Sequence, residues 1–354
     1  MTILINTLSF LFIITILVVI HELGHFLAAK SIGLRVEKFY VGFNLFGLGL
    51  KKKINGTEFG IGLFPIGGYV KVAGMVDESL DDQYNGAPDE YVSKSMLQKV
   101  WFTSGGVIFN FILAVILFSG ITFFNGRGIP LNSTIIGELV VNEPAEKAGL
   151  LAGDKIISID GSNVSDWDEI RIIINDKPNK NIKLEYQRNN ELIDISVFTS
   201  SRLSPNGDSI GIIGIIPEYV QLNPGFFQSI YYGFSDLLAW LSIMSSSIIS
   251  FFTGQLDIKN FGGPIQIASI AGEASKIGML ALINLMAILS VNLGIINILP
   301  FPGLDGGHAL IAIIEGIIGR RIPFKTLMII QQIGVLLLAI FFFIVMKNDI
   351  SRLF

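Results

Sequence analysis

Two of the three histidines in this 354-residue chain, His21 and His25, stand four apart in the stretch HELGH (21–25). On a helix, positions i and i+4 share one face, so two imidazoles at this spacing can hold one zinc ion. Glu22 lies between them and can serve as base toward a water at the metal. The chain has no cysteine, which excludes thiolate zinc sites, iron–sulfur clusters, disulfide staples and a cysteine nucleophile. Any metal must therefore be held by His, Asp or Glu. A catalytic zinc needs three protein ligands and an open position. The second cluster that offers one is NILPFPGLDGGH (297–308), with Asp305 and His308. A three-histidine site and a two-histidine, one-aspartate site are both chemically acceptable, so the residues leave Asp305 and His308 as alternatives. The bland reading of HELGH is a helix with two exposed histidines at a membrane edge; polar groups at membrane depth are costly and mostly functional.

The elements that carry these residues are apolar. Hydrophobic residues make up 51% of the chain and charged residues 15%, against about 25% charged in a typical soluble domain. The mean hydropathy is +0.62. This is the composition of an integral membrane protein, and a net charge of −4 offers nothing to nucleic acid. Uncharged runs over 3–20, 107–124, 277–299 and 327–346 each approach the ~20 residues that cross a hydrocarbon core. The segment 226–252 contains Gln228, Asp236 and many small polar residues. It reads as a helix lying at the interface, with a fifth span as the alternative. Phe226, Phe227, Tyr231, Tyr232 and Trp240 read as its interfacial anchors. The first run lacks a basic leader and a small-residue cleavage site, so it reads as a span and not as a signal peptide.

Basic residues set the orientation. Lys30, Arg35, Lys38, Lys51, Lys52, Lys53 and Lys71 cluster between the first two spans, and Arg320, Arg321 and Lys325 between the last two, whereas 127–218 is acidic on balance. Four spans then place both termini and the 126–275 region outside the cytoplasm.

Residues 133–220 differ from their surroundings. Charges are frequent and apolar residues alternate at 183–187 and 193–197, the period of strands, while 166–175 has helical spacing. The run PAEKAGLLAGDKIISIDG (144–161) resembles the PDZ family: a short helix, a Gly-Asp turn, a strand, then a tight turn at Asp160-Gly161. PDZ domains capture extended peptides by strand addition and bind C-terminal carboxylates on backbone amides. By resemblance to the bacterial, circularly permuted form, that loop falls near 211–215, with Gly211 and Gly214 as peptide-binding positions.

Residues 39–50 and 59–71 read as Gly-interrupted apolar strands flanking a hairpin turn at Asn55-Gly56. Residues 77–95 read as a solvated acidic loop whose spacing does not fit a calcium loop. Asn110, four residues after Gly106 in the second span, reads equally as a neighbour of the active site or as a helix-packing contact.

With HELGH in the first span and NILPFPGLDGGH after the third, the chain resembles the site-2 protease family of intramembrane zinc metalloproteases. With a PDZ domain between spans two and three it is similar to the bacterial regulator-of-sigma-E protease type. GIGLFPIGGYVK (60–71), GGVIFN (105–110), GGP (262–264) and SVNLGIIN (290–297) extend the match over nearly the whole chain. The resemblance implies one catalytic Zn²⁺ held by His21, His25 and Asp305, Glu22 as catalytic base, and Asn297 contacting or orienting substrate. It leaves His308 as a neighbour that orients Asp305. It also implies a membrane-associated sheet whose edge pairs with an unwound substrate, for which Gly60, Gly62, Gly67, Gly68 and Asn110 are the substrate-binding candidates. Close relatives of this type often carry two tandem PDZ domains; this chain has room for one.

The expected architecture is a polytopic α-helical membrane protein with four transmembrane helices, a membrane-associated β-sheet and one α+β PDZ domain. The first helix with HExxH occupies 1–30, the cytoplasmic-side sheet and loop 31–99, the second helix 100–125 and the extracytoplasmic PDZ domain 126–220. Juxtamembrane helices follow over 221–275, the third span with LDGGH over 276–319, and the fourth span and tail over 320–354. The resemblance implies residence in the bacterial inner membrane and substrates that are membrane proteins or peptides in the bilayer, such as anti-sigma-factor-like proteins or leftover signal peptides, with peptide C-termini at the PDZ domain. A zinc transporter, or an inactive PDZ scaffold, is the competing reading; four spans, no inverted repeat and Glu22 placed as a base argue against the transporter, and the intact set of His21, Glu22, His25, Asp305 and Asn297 argues against the scaffold.

Overall fold

The computed structural model describes residues 2–44, 49–75, 86–204 and 207–352. Its contacts divide the chain into two units. One comprises Met1–Ile121, Ile230–Ser242 and Ile258–Phe354; the other comprises Thr122–Ser229 and Ile243–Asp257.

The chain opens with α1 (Thr2–Ser31), a 30-residue helix that is apolar until its last turns. Four strands follow: β1 (Val36–Phe43), β2 (Gly49–Ile54), β3 (Thr57–Gly62) and β4 (Phe64–Val72). They form one sheet in the order β2-β3-β1-β4. The β2–β3 hairpin turns at Asn55 and Gly56, both at positive φ, as the Asn-Gly pair predicts. β3 then pairs parallel to β1, and β4 returns antiparallel along the other side of β1. β2 and β4 are therefore the edges. Of the first expected strand, 45–48 lies outside the described residues, as does the acidic loop up to residue 85; a short 3₁₀ turn, Tyr91–Ser93, precedes the next helix. That helix, α2 (Met96–Asn125), runs 30 residues. Ala29, Leu34, Val36, Val72 and Phe102 form a buried cluster that ties the end of α1 and the sheet to α2.

The second unit is the β-rich insert. It contains β5 (Arg127–Pro130), β6 (Ile136–Leu139), α3 (Pro144–Ala148), β7 (Lys155–Ile159), β8 (Ser162–Asn163), α4 (Trp167–Asn175), β9 (Asn181–Arg188), β10 (Glu191–Phe198), β11 (Ser200–Leu203), β12 (Ser209–Ile212), β13 (Ile215–Pro217) and β14 (Tyr219–Leu222). The expected helix at 166–175 is α4. Asp166 caps it by accepting from the Glu169 N–H at 2.9 Å, while the Glu169 carboxylate accepts from the N–H of Ser165, the residue before the cap. The alternation in β9 and β10 buries Ile182, Leu184, Tyr186 and Val197 against Ile170 and Ile174 of α4. Asp160 and Gly161, both at positive φ, make the two-residue β7–β8 turn. Asp154 of the Gly-Asp turn is buried and takes a bidentate Arg188 contact at 2.7 Å on each oxygen. The Asp160 carboxyl lies below the usual carboxylate range, chiefly because the Lys177 ammonium donates to it and the Lys183 N–H adds a second bond.

The chain then forms α5 (Phe226–Phe252), α6 (Pro264–Ile277), α7 (Met279–Ile298), α8 (Asp305–Ile318) and α9 (Phe324–Ser351). Among the described residues five helices are long and apolar enough to cross a membrane, one more than the four expected. The additional one is α5, the least apolar, with a mean hydropathy of 1.4 over its best window against 2.2 to 2.8 for the others. α6 packs along α1, where Ile13 and Leu17 meet Ala271 and Ala274 in a core shared with Leu282 and Met286 of α7. Pro300 and Pro302 interrupt the helix between α7 and α8, and Gly303 takes φ +89° within the break.

Candidate metal centre

α1 and α2 cross at glycine. A Cβ on Gly24 would lie 2.9 Å from the Phe109 Cβ, and one on Gly105 would lie 2.6 Å from the Gly24 carbonyl oxygen. Two backbones this close bring the HELGH face of α1 against α2. α7 then runs in the same direction as α1, and the 299–304 loop folds back so that α8 starts beside the two histidines. Gly306 and Gly307 permit that return, since a Cβ on either would collide with the carbonyls of Ile298, Leu299 or Phe301. Asp305 occupies the first turn of α8, where backbone N–H groups favour an anion.

The result is a triangle of donor atoms. His21 Nε2 and His25 Nε2 lie 3.3 Å apart, and Asp305 Oδ2 lies 3.2 Å from each. Ligands at ~2.0–2.1 Å around a tetrahedral zinc stand about 3.3–3.4 Å from one another, so the three atoms fit three corners of such a site. They are also the group of His, Asp and Glu side chains among the described residues whose ligand atoms converge. Only Asp305 of the two open alternatives joins the imidazoles. His308, one turn further along α8, has its Nδ1 3.4 Å from Nε2 of Gln331, and Gln331 also accepts from the Gly303 N–H at 2.8 Å.

Glu22 accepts from the Val70 N–H of β4, and a Cβ on Gly68 would come within 3.1 Å of its Cγ. Gly67 and Gly68 thus lie on the edge strand that runs beside α1 at Glu22. Gly60 and Gly62 do not lie on an edge. They belong to β3, an inner strand paired to β2 at both positions and to β1 as far as Ile61; Gly60 instead makes room for the Tyr40 ring. The expectation of a substrate-binding edge at Gly60 and Gly62 is corrected accordingly, because the parallel β1–β3 pairing is not visible in strand periodicity.

Asn297 sits in the last turn of α7, half-buried. Asn110 is fully buried on α2, with its amide nitrogen 3.1 Å from His21 Nδ1, and its backbone carbonyl accepts from Ser290 Oγ of α7 at 2.7 Å. Its side chain has no exposed surface and faces His21 Nδ1, in place of the substrate contact expected for it. His25 Nδ1 donates to the Phe102 carbonyl of the same helix at 3.0 Å. Phe102 and Gly106 were not among the expected site residues. Their signal is a stripe at i, i+4 and i+8 on an apolar helix, ending in an asparagine at membrane depth. A cavity of about 260 Å³ adjoins Asp305, lined by Thr103, Ser104, Val107, Ile298, Pro300 and Leu310 among others.

In the insert, Gly211 lies on β12 against α4 and Gly214, at φ +79°, turns the chain between β12 and β13. Both line a cavity of about 310 Å³ whose other walls include Trp167, Ile170, Arg171 and Arg202.

A buried pair of imidazoles and a carboxylate with a second carboxylate alongside, held by long apolar helices, defines a membrane metallohydrolase site. The profile of Peptidase family M50 matches residues 9–341, and the chain belongs to that family. A Helicobacter pylori protein named "Putative zinc metalloprotease" is 34% identical over 95% of this chain and 97% of its own length. Proteins with the same name from Rickettsia conorii and Clostridium acetobutylicum are each 31% identical, over 99% and 95% of this chain and 99% and 94% of their own lengths. Among solved structures, the PDZ domain of the SdrC-like protein from Listeria monocytogenes aligns with 25% of this chain and 90% of that domain, at 20% identity and a TM-score of 0.21. The chain is a zinc metalloprotease of the membrane, and zinc is its cofactor.

Proposed function

We propose that the protein is an intramembrane zinc endopeptidase of the regulator-of-sigma-E protease type. It cuts single-pass membrane proteins within or near the membrane-spanning segment, with anti-sigma-factor-like proteins and leftover signal peptides as the substrate classes. The observation that carries this reading is the triangle of His21, His25 and Asp305 donor atoms, 3.2–3.3 Å apart, with Glu22 on the same turn of α1. These three side chains would hold the zinc. When bound, zinc supplies Lewis acidity toward a water and toward the scissile carbonyl. Glu22 takes the proton of that water and returns it to the leaving amine. The Val70 N–H keeps the Glu22 carboxylate turned toward the site. Asn297, at the end of α7, contacts and orients the substrate backbone.

A substrate helix hides its carbonyls in i→i−4 bonds and must be held extended before cleavage. β4 suits that task, because it is an edge of its sheet and runs past Glu22, with Gly67 and Gly68 leaving the strand uncluttered there. The apolar cavity beside Asp305 takes a substrate side chain next to the scissile bond. In the PDZ-type insert, the loop at Gly211 and Gly214, with Arg171 and Arg202 on the cavity wall, receives a peptide C-terminus.

The resemblance and the placement of basic residues favour the bacterial inner membrane with both termini and the insert extracytoplasmic, and the helix order is compatible with four spans. α2 leaves the site and α7 approaches it, so the segment between them starts and ends on one side of the membrane. A crossing by α5 would need a second crossing to return. The 14 residues of α6 reach only about 21 Å, short of a ~30 Å hydrocarbon core. α5 therefore lies along the interface.

The test is Glu22→Gln in the full-length protein, with a truncated single-span substrate. Zinc content should equal that of the wild type while cleavage is lost. Undiminished cleavage would show that Glu22 is not the base, and flux of zinc across vesicles by the same variant would favour a transporter.

A further inference from the structure

The two imidazoles are held from behind by one stripe of α2. Phe102, Gly106 and Asn110 stand at i, i+4 and i+8 and share a face. The Phe102 carbonyl can only accept, so His25 must carry its proton on Nδ1, which leaves the Nε2 lone pair directed at His21 and Asp305. Gly106 supplies the space between: a Cβ there would lie 2.5 Å from His25 Nε2 and 2.6 Å from His21 Nδ1. Asn110 faces His21 Nδ1 in the position corresponding to Phe102 and His25. It is fully buried, on the side of His21 opposite the donor triangle.

An asparagine can present either end of its amide, and the two ends are isosteric. With Nδ2 toward His21, as the atoms stand, Nδ1 would have to accept and the proton would sit on Nε2, where it blocks ligation. In that orientation Asn110 Oδ1 is buried and has no hydrogen-bond donor among the described residues. Turning the amide by half a rotation gives that oxygen the Nδ1–H as its donor and frees Nε2.

We propose that Asn110 is a positioning residue: its Oδ1 accepts from His21 Nδ1–H and fixes the tautomer that can bind zinc, the counterpart of the Phe102 carbonyl at His25. The proposal rests on His21, His25 and Asp305 being the zinc ligands. It predicts that what matters at 110 is an acceptor, not an amide. Asn110→Leu keeps the volume and removes the acceptor; Asn110→Asp keeps the acceptor.

The experiment compares full-length wild type, Asn110→Leu, Asn110→Asp and His21→Ala in detergent. Zinc affinity is read by competition with a chromogenic chelator, and protonation by ¹⁵N imidazole spectra of the metal-free proteins, where only three histidines contribute. Asn110→Leu should bind zinc about 10–100-fold more weakly, the usual effect of losing such a partner. It should also shift one imidazole, and only one, to the intrinsically preferred Nε2–H form. Asn110→Asp should restore both readouts to near wild type. Wild-type affinity in Asn110→Leu, or equal weakening in Asn110→Asp and Asn110→Leu, overturns the proposal and leaves the ligand set standing. Unchanged zinc binding in His21→Ala overturns the ligand set itself, and the proposal with it.

Discussion

Gly106→Ala is the smallest change that should dismantle the metal centre. The new methyl carbon would stand 2.5 Å from His21 Cε1, 2.5 Å from His25 Nε2 and 2.6 Å from His21 Nδ1. Carbon contacts are comfortable at about 3.5–4.0 Å, so the imidazoles must retreat by about 1 Å. Zinc–ligand distances tolerate only about 0.2 Å. The alternative relaxation is for α2 to back away by the same amount. That would stretch the Asn110–His21 and Phe102–His25 contacts from 3.1 and 3.0 Å to about 4 Å, beyond hydrogen-bond length. Either route removes support from two of three ligands. Zinc affinity should fall at least about 100-fold, equivalent to about 2.8 kcal/mol, and cleavage should fall with it. Gly120→Ala on the same helix is the control. Nothing lies within 4 Å of a Cβ there, so it should leave zinc binding intact and be neutral or stabilising by about 0.5–1 kcal/mol. The assay is zinc stoichiometry of the purified protein by mass spectrometry, with chelator competition for affinity. Wild-type zinc affinity in Gly106→Ala would refute the packing argument.

Two further outcomes concern stability. Asp349 of α9 is buried and accepts from the N–H groups of Gly263, Ile265 and Gln266 at 2.9–3.1 Å, capping α6 from another helix. Asp349→Ala leaves one buried and two part-buried donors unpaired, each worth up to about 1–3 kcal/mol, so a loss of about 3–9 kcal/mol is expected, read as a fall in the melting temperature in detergent; an unchanged melting temperature would contradict the cap. In the insert, the Asp160 carboxyl is held below its ordinary value by Lys177 and the Lys183 N–H. A group depressed in this way stabilises the fold fully above its unfolded pKa, about 3.9, and the contribution is lost as pH falls through the folded value. Wild-type resistance of the insert to limited proteolysis should therefore decline below about pH 4, and Asp160→Asn should show a shallower decline while starting lower at neutral pH.

Much of the site is readable where the chemistry is local. HELGH needs only helical spacing to bring its histidines together, and the Asn55-Gly56 and Asp160-Gly161 turns need only positive φ in two adjacent residues. The apolar runs announce membrane helices by length and composition alone, and the alternation of 183–197 announces β9 and β10 for the same reason: periodicity acts over a few residues. Asn110 and Gly106 were half-legible, as a polar and a small residue four apart in an apolar helix, but which neighbour they serve was not.

Long-range geometry decided the rest. Asp305 and His308 are three residues apart and equally able to bind zinc; the return of the 299–304 loop points Asp305 at α1 and leaves His308 with Gln331 of α9. The parallel β1–β3 pair moved Gly60 and Gly62 to the middle of the sheet and left β4 as the edge at Glu22. Asp305 meets His25 across 280 positions of chain. No short-range pattern encodes such a contact, because it depends on how helices pack and on the glycines that let their backbones close.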